Sequence, residues 1–176
     1  MQKFCLYDTN IISHYLNINP KESNQHRLSL ALSDYLLKEK YKILVPTVAI
    51  FELLQCNKSV EAEEKLNDLI GRTFLFADFN YAAASLAYSI RGGIPFRQFI
   101  NAINPYKPKE EIKVDLMIFA TAIAFNVGLI ISDDGDLVSI ARNFPNVKVK
   151  SYNDFPLQHQ LDLQLAETTR KLADSN

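Results

Sequence analysis

Residues 115–137 read DLMIFATAIAFNVGLIISDDGDL, and three signals follow one another along them. From Asp115 to Phe125 the chain is apolar nearly all round a helical turn, which predicts a helix opened by Asp115 and buried against a sheet. Gly128 is placed to end it. Leu129 to Ile131 is a short apolar run between Gly and polar residues, the pattern of a buried strand. Ser132-Asp133-Asp134-Gly135-Asp136 then sets carboxylates directly after the strand. A buried helix leading into a buried strand is the repeating element of a parallel sheet with crossover helices.

The same alternation extends in both directions. Phe4 to Tyr7, Ile43 to Val45 and Thr73 to Phe76 read as the first three strands, and Val147 to Lys150 as a fifth at an edge. Between them, Leu28, Leu30, Leu32, Leu36 and Leu37 suit one face of a helix. Pro46 closes the second strand and Thr47 can cap a helix from Val48 to Cys56. Further helices are predicted over Val60 to Ile70, stopped by Gly71, over Tyr81 to Ile90, stopped by Gly92-Gly93, and over Leu137 to Arg142. The expectation is one α/β domain over residues 1–154 with a central parallel sheet of four to five strands. Residues 155–176 follow as a polar helical or frayed tail.

The 176 residues, 48% apolar and 22% charged, are enough to bury a full core without disulfides. Cys5 and Cys56 fall inside apolar elements, as buried free thiols do. No stretch approaches the length of a membrane span and Asp8 interrupts the start of the chain, so a cytoplasmic location without membrane contact is expected. A net charge of −1 provides no global attraction for nucleic acid. Between Arg91 and Val114, however, five cations stand against two acids. That segment is either a solvated connecting loop or a patch that guides an anionic substrate.

Four acids sit at the edges of apolar elements: Asp8 after the first strand, Glu52 among Val48 to Leu54, Asp115 at its helix and Asp134 after the fourth strand. Ionised carboxylates are costly to bury unless paired or bound to a cation. In an open parallel sheet, ligands bind beyond the carboxyl ends of the strands, and all four acids can meet there. An all-oxygen set suits Mg²⁺ or Mn²⁺ rather than zinc. His14, His26 and His159 show no ligand spacing.

Taken singly, each acid has a plain structural reading. Asp8 can cap a turn, Asp115 can sit in a first helical turn, and Asp133, Asp134 and Asp136 around Gly135 can form a polar turn. Their joint order is the informative feature. Asp8-Thr9-Asn10 after the first strand, Glu52 after the second, Asp115 at an Ala-rich helix and Ser132-Asp133-Asp134-Gly135-Asp136-Leu137 after the fourth resemble the PIN-domain nucleases, in particular the VapC-like toxins of toxin–antitoxin pairs. The resemblance covers about Lys3 to Tyr152.

That resemblance implies a three-layer α/β/α sandwich and metal-dependent endoribonuclease activity with Mg²⁺ or Mn²⁺. It places Asp8, Glu52, Asp115 and Asp134 as catalytic metal ligands, with Asn10, Ser132 and Asp136 in support, and it selects Asp134 over Asp133. It further implies an RNA substrate, an antitoxin partner and a homodimer. Toxin-type members are usually shorter, and the segment from about Arg91 to Lys113 and the tail after Asp154 look like additions.

Other classes fit less well. A haloacid-dehalogenase-type phosphatase needs an acid two positions after its nucleophile, where this chain has Asn10. A receiver domain needs an early acid pair, whereas a single Asp ends the first strand. A non-catalytic PIN-fold module that binds RNA or protein is the remaining alternative, and the presence of all four acids favours an enzyme over it.

Overall fold

The computed structural model describes residues 2–18, 21, 23–56, 63–66, 68, 74–92, 94–106 and 108–157. Five strands form one sheet, every pairing parallel: β1 (Lys3–Tyr7), β2 (Tyr41–Pro46), β3 (Leu75–Ala77), β4 (Leu129–Ile131) and β5 (Lys148–Lys150). The spatial order is β3-β2-β1-β4-β5. Strand order therefore runs one way from β1 and the other way from β4, and the two meet side by side at the centre of the sheet. Because parallel crossovers are right-handed, this reversal sends the two sets of connecting helices to opposite faces, giving the three-layer α/β/α sandwich.

The register at the centre pairs Leu6 with Ile130 and Tyr7 with Ile131. The Asp8 N–H continues the ladder to the Ile131 carbonyl at 3.0 Å, and the Ser132 N–H reaches the Lys150 carbonyl at 2.9 Å. Both chains thus leave the sheet at the same level. Cys5, Leu6, Ile43, Val45, Ile130 and Ile131 are all buried, as expected of strands covered on both faces. Burial pushes the Cys5 thiol up to about 12, so it packs as an inert apolar group.

The connecting helices are α1 (Thr9–Tyr15), α2 (Ser23–Lys38), α3 (Thr47–Cys56), α4 (Tyr81–Ile90), α5 (Phe96–Ile103), α6 (Lys109–Ala124) and α7 (Gly135–Ala141). Asp8, Asn80 and Asp134 cap α1, α4 and α7 by accepting backbone N–H groups. Inside the core, the Tyr7 hydroxyl meets Ser33 Oγ at 2.9 Å, and Ser33 Oγ donates to the Ser29 carbonyl at 2.8 Å. The phenol is therefore satisfied although Tyr7 is buried.

Several sequence expectations are corrected. The helix carrying Asp115 starts six residues earlier, at Lys109. Its first turn, with Glu110 and Glu111 after Pro108, suits a helix N-terminus electrostatically, and Ile112 is fully buried beneath it. The stretch from Arg91 to Lys113 is thus not a plain loop, because it contains α5 and the start of α6. Asn126, not Gly128, ends α6. It adopts a left-handed φ of 55°, and the N–H groups of Asn126 and Val127 return to the carbonyls of Ile123 and Ala122. α1, between Asp8 and α2, was not anticipated. α3 is less enclosed than its apolar sequence implies, with Phe51 60% exposed.

The third strand runs to Ala77, and α7 starts at Gly135 rather than Leu137. Of the helix expected over Val60 to Ile70, residues 63–66 are helical and the remainder lies largely outside the described residues, as does the tail from residue 158. Among the described residues, no helix is long and apolar enough to cross a membrane.

Phe119, fully buried on α6, meets the Phe144 ring edge-on at 5.2 Å. Replacing Phe119 by Ala is expected to cost about 3–5 kcal/mol of stability through the cavity it opens. Urea denaturation followed by circular dichroism checks this, and a cost under about 1 kcal/mol would contradict the packing.

Candidate active site

The carboxyl ends of β1 and β4 lie side by side where strand order reverses, and the polar residues that follow them interlock. Ser132 Oγ donates to Asp8 Oδ2 at 2.6 Å and accepts the Asp134 N–H at 2.9 Å. Asn10 Nδ2 approaches the same hydroxyl at 3.5 Å. One donor and two acceptor positions are all a serine hydroxyl has, so Ser132 is fully used in tying the two strand ends together.

Asp8 is 3% exposed. Its Oδ1 accepts the Thr9 N–H at 2.7 Å, capping α1, while Oδ2 holds Ser132. Capping and site formation are therefore done by different oxygens of one group. Asp134 works similarly, accepting the Asp136 N–H at 2.8 Å through Oδ1 as it caps α7. α6 and α7 pack together, which brings Asp115 to the same place. Carboxylate oxygens of Asp115, Asp134 and Asp136 all lie within 4.8 Å of one another.

Glu52 reaches the cluster from α3 by another route. Thr9 Oγ1 donates to Glu52 Oε2 at 2.6 Å, so the residue that follows Asp8 also holds Glu52. The structure thus unites all seven residues singled out in the sequence, with two refinements. Asp136, expected in support, belongs to the tightest acid group. Glu52 is joined to the set through Thr9 and Asp8 rather than lying within that group.

Asp133 is exposed and faces another way. Burial raises its pKa, while the neighbouring His14 and the Tyr152 N–H lower it.

Two site residues carry no acid and escaped sequence reasoning. Thr9 was visible beside Asp8 but had no marked role until α3 was seen to approach it. Asn104, between α5 and α6, donates from Nδ2 to Asp136 Oδ1 at 3.4 Å and accepts the Tyr106 N–H at 3.1 Å. It comes from the segment that looks like an addition to the family pattern. Nothing short of the fold would have revealed it.

Desolvation, first, and then the nearby Asp134 and Glu52 push the Asp8 carboxyl up to about 6, although hydrogen bonds from Ser132 and Thr9 work in the opposite sense. Clustered, buried carboxylates of this kind favour either a retained proton or a bound cation. An all-oxygen set spaced within 4.8 Å matches hard-cation coordination, whose bonds are about 2.0–2.6 Å long. Asn10 Oδ1 is buried with no hydrogen-bond partner. The residues present fit Mg²⁺ or Mn²⁺, and the donor chemistry argues against zinc.

No protein-family model matches the sequence, and no curated protein matches it. Solved structures do. A chain of VapBC2 from Rickettsia felis, bound to a DNA fragment from their promoter, aligns with a TM-score of 0.54 at 17% identity, over 84% of this chain and 98% of that one. The protein has the PIN-like fold. A chain of DNA-bound VapBC from Salmonella typhimurium aligns with a TM-score of 0.50 at 21% identity, over 86% of this chain and 99% of that one. Both neighbours are covered almost end to end, so the similarity concerns the whole fold and not one motif.

The raised Asp8 pKa has a definite sign. The folded state favours protonated Asp8, so this contribution to stability is complete below the ordinary carboxylate value of 3.8 and is lost as pH rises through about 6. The difference corresponds to about 3 kcal/mol. Metal-free protein is expected to melt at a lower temperature at pH 7.5 than at pH 5, Asp8→Asn to flatten that dependence, and Mg²⁺ to restore stability at pH 7.5. Thermal denaturation across pH, with and without metal, checks all three. A variant with an unchanged pH profile would contradict the role of Asp8.

Proposed function

We propose that the protein is a cytoplasmic metal-dependent endoribonuclease of the PIN type, the toxin of a toxin–antitoxin pair. The observation that carries the nuclease reading is the gathering of Asp8, Asp115, Asp134 and Asp136 at the point where strand order reverses, with Glu52 bound to the same group through Thr9. The order of the acidic motifs and the fold shared with VapBC chains support the toxin reading, and with it an antitoxin protein as partner; a homodimer is part of the same proposal and follows from the family resemblance alone.

In this reading Asp115, Asp134 and Asp136 hold a Mg²⁺ or Mn²⁺ ion, with Asp8 and Glu52 beside them. Such an ion, when bound, lowers the pKa of a water and stabilises charge on phosphoryl oxygens during in-line attack. The chain's own residues keep the acids in place. Ser132 fixes the rotamer of Asp8, Thr9 that of Glu52 and Asn104 that of Asp136. The buried Asn10 Oδ1 acceptor remains for an internal water.

Nothing in this arrangement needs a nucleophilic side chain. Geometric support of the ligands is then the chief contribution of the protein, and supporting residues matter almost as much as the ligands themselves.

Purified protein is expected to cut RNA in Mg²⁺ or Mn²⁺ and not in EDTA. Asp8→Asn and Asp115→Asn should each lose cleavage by about a hundred-fold or more, a loss of the size seen on removing one electrostatic stabiliser, while remaining folded. Thr9→Ala, which frees Glu52, should lose about ten- to a hundred-fold. No cutting of structured or single-stranded RNA under any condition, together with no metal binding by calorimetry, would overturn the enzyme reading in favour of a binding module.

A further inference from the structure

The segment with the local excess of positive charge contributes to a groove of about 610 Å³ between α4 and α6. Apolar Leu116, Met117 and Phe79 line it together with Tyr88, Arg91 and Lys113. No acid is among the described residues that line it. Tyr88 is 63% exposed, and the Arg91 guanidinium lies 4.9 Å from the centre of its ring. Arg91 Nε is buried with no hydrogen-bond partner, leaving a donor without an acceptor in the protein.

One residue of the groove, Phe79, sits at the carboxyl edge of the sheet, the edge on which the acids stand. Phe79 follows the carboxyl end of β3, and its N–H is held by Thr47 Oγ1 at 3.2 Å, at the start of the helix that bears Glu52. β3 stands two places from β1 in the sheet, a separation of about 10 Å at the usual strand spacing. On α6, Lys113 shares a face with Leu116 and Met117, about half a turn round the helix from Asp115. Tyr81, 89% exposed and seven residues before Tyr88, lies on the same face of α4 and extends the aromatic surface towards the end of β3.

We propose that this groove binds the single-stranded RNA flanking the scissile phosphate, with Tyr88 stacking on an unpaired base and Arg91 and Lys113 holding phosphates. The inference rests on the nuclease reading above and deepens it. Aromatic faces set among cations are how proteins hold single strands without reading a sequence. A duplex keeps its bases stacked on one another and cannot offer them to Tyr88. Charge decides between RNA and a protein segment as occupant: two cations, with no acid among the described lining residues, complement a polyanion. The local charge also supplies an attraction for nucleic acid that the overall net charge of −1 does not.

The test uses full-length protein and a fluorescent single-stranded oligoribonucleotide, with binding read by anisotropy in EDTA so that no cleavage occurs. Tyr88→Ala is expected to weaken binding roughly ten-fold, and Tyr88→Phe, which keeps the ring, to bind like wild type. Arg91→Ala combined with Lys113→Ala should lower the slope of log affinity against log salt by about 1.4. In cleavage with Mg²⁺, the same variants should raise KM while leaving kcat within about two-fold. A matched duplex should bind more weakly than the single strand.

Wild-type affinity and an unchanged salt slope in all groove variants, with metal-dependent cutting intact, would overturn the groove while leaving the nuclease reading standing. A change of oligomeric state by sedimentation in those variants, with RNA affinity untouched, would reassign the groove to a protein contact and overturn the proposal. Failure of the wild-type protein both to bind and to cut RNA would remove both readings.

Discussion

The 2.6 Å hydrogen bond from Ser132 to Asp8 joins residues 124 positions apart in the chain, and the architecture of the site depends on it. It can form because β1 and β4 are neighbours in register, with Asp8 and Ser132 both stepping off the sheet at the level of Ile131. A strand slip of one residue would turn Asp8 to the other face and separate the pair. The parallel register is therefore the constraint from which the acid cluster follows. The buried strands enforce it, since slippage would also break up the packing of Leu6, Tyr7, Ile130 and Ile131.

The same few residues serve folding and function at once. Asp8 and Asp134 cap helices with one oxygen and face the cluster as acids, and Thr9 opens α1 while holding Glu52. This economy has a stability cost. Burial, and after it the nearby Asp134 and Glu52, raises the affinity of Asp8 for a proton. A cation turns the same repulsion into coordination. Acids so placed, and so well supported by hydrogen bonds, could hold a metal ion.

Much of this was legible in the sequence, for identifiable reasons. Short apolar runs bounded by Gly, Pro and acids marked the strands, and carboxylates out of place at their ends marked the site. The family pattern selected Asp134 over Asp133, and in the structure Asp133 lies near His14 and the Tyr152 N–H. The start of α6 was not legible, because Lys109 to Val114 alternates charge and apolar character and shows its helical face only through buried Ile112. Termination by Asn126 was hidden by the nearer convention of glycine. Thr9 and Asn104 were missed because a neutral side chain acquires a role only from what the fold sets beside it. The groove between α4 and α6 was foreshadowed by the charge excess after Arg91, but its aromatic wall needed the helices to be placed.

The central claim is that the acids at the carboxyl edge of the sheet form a cation site. Anomalous scattering from crystals grown with Mn²⁺, collected near the manganese edge, tests it most directly. The account predicts a manganese peak within coordination distance of carboxylate oxygens of Asp115, Asp134 and Asp136, on the side facing Asp8. A manganese-containing crystal with no peak there, or with its peaks only at other surface acids, would contradict it.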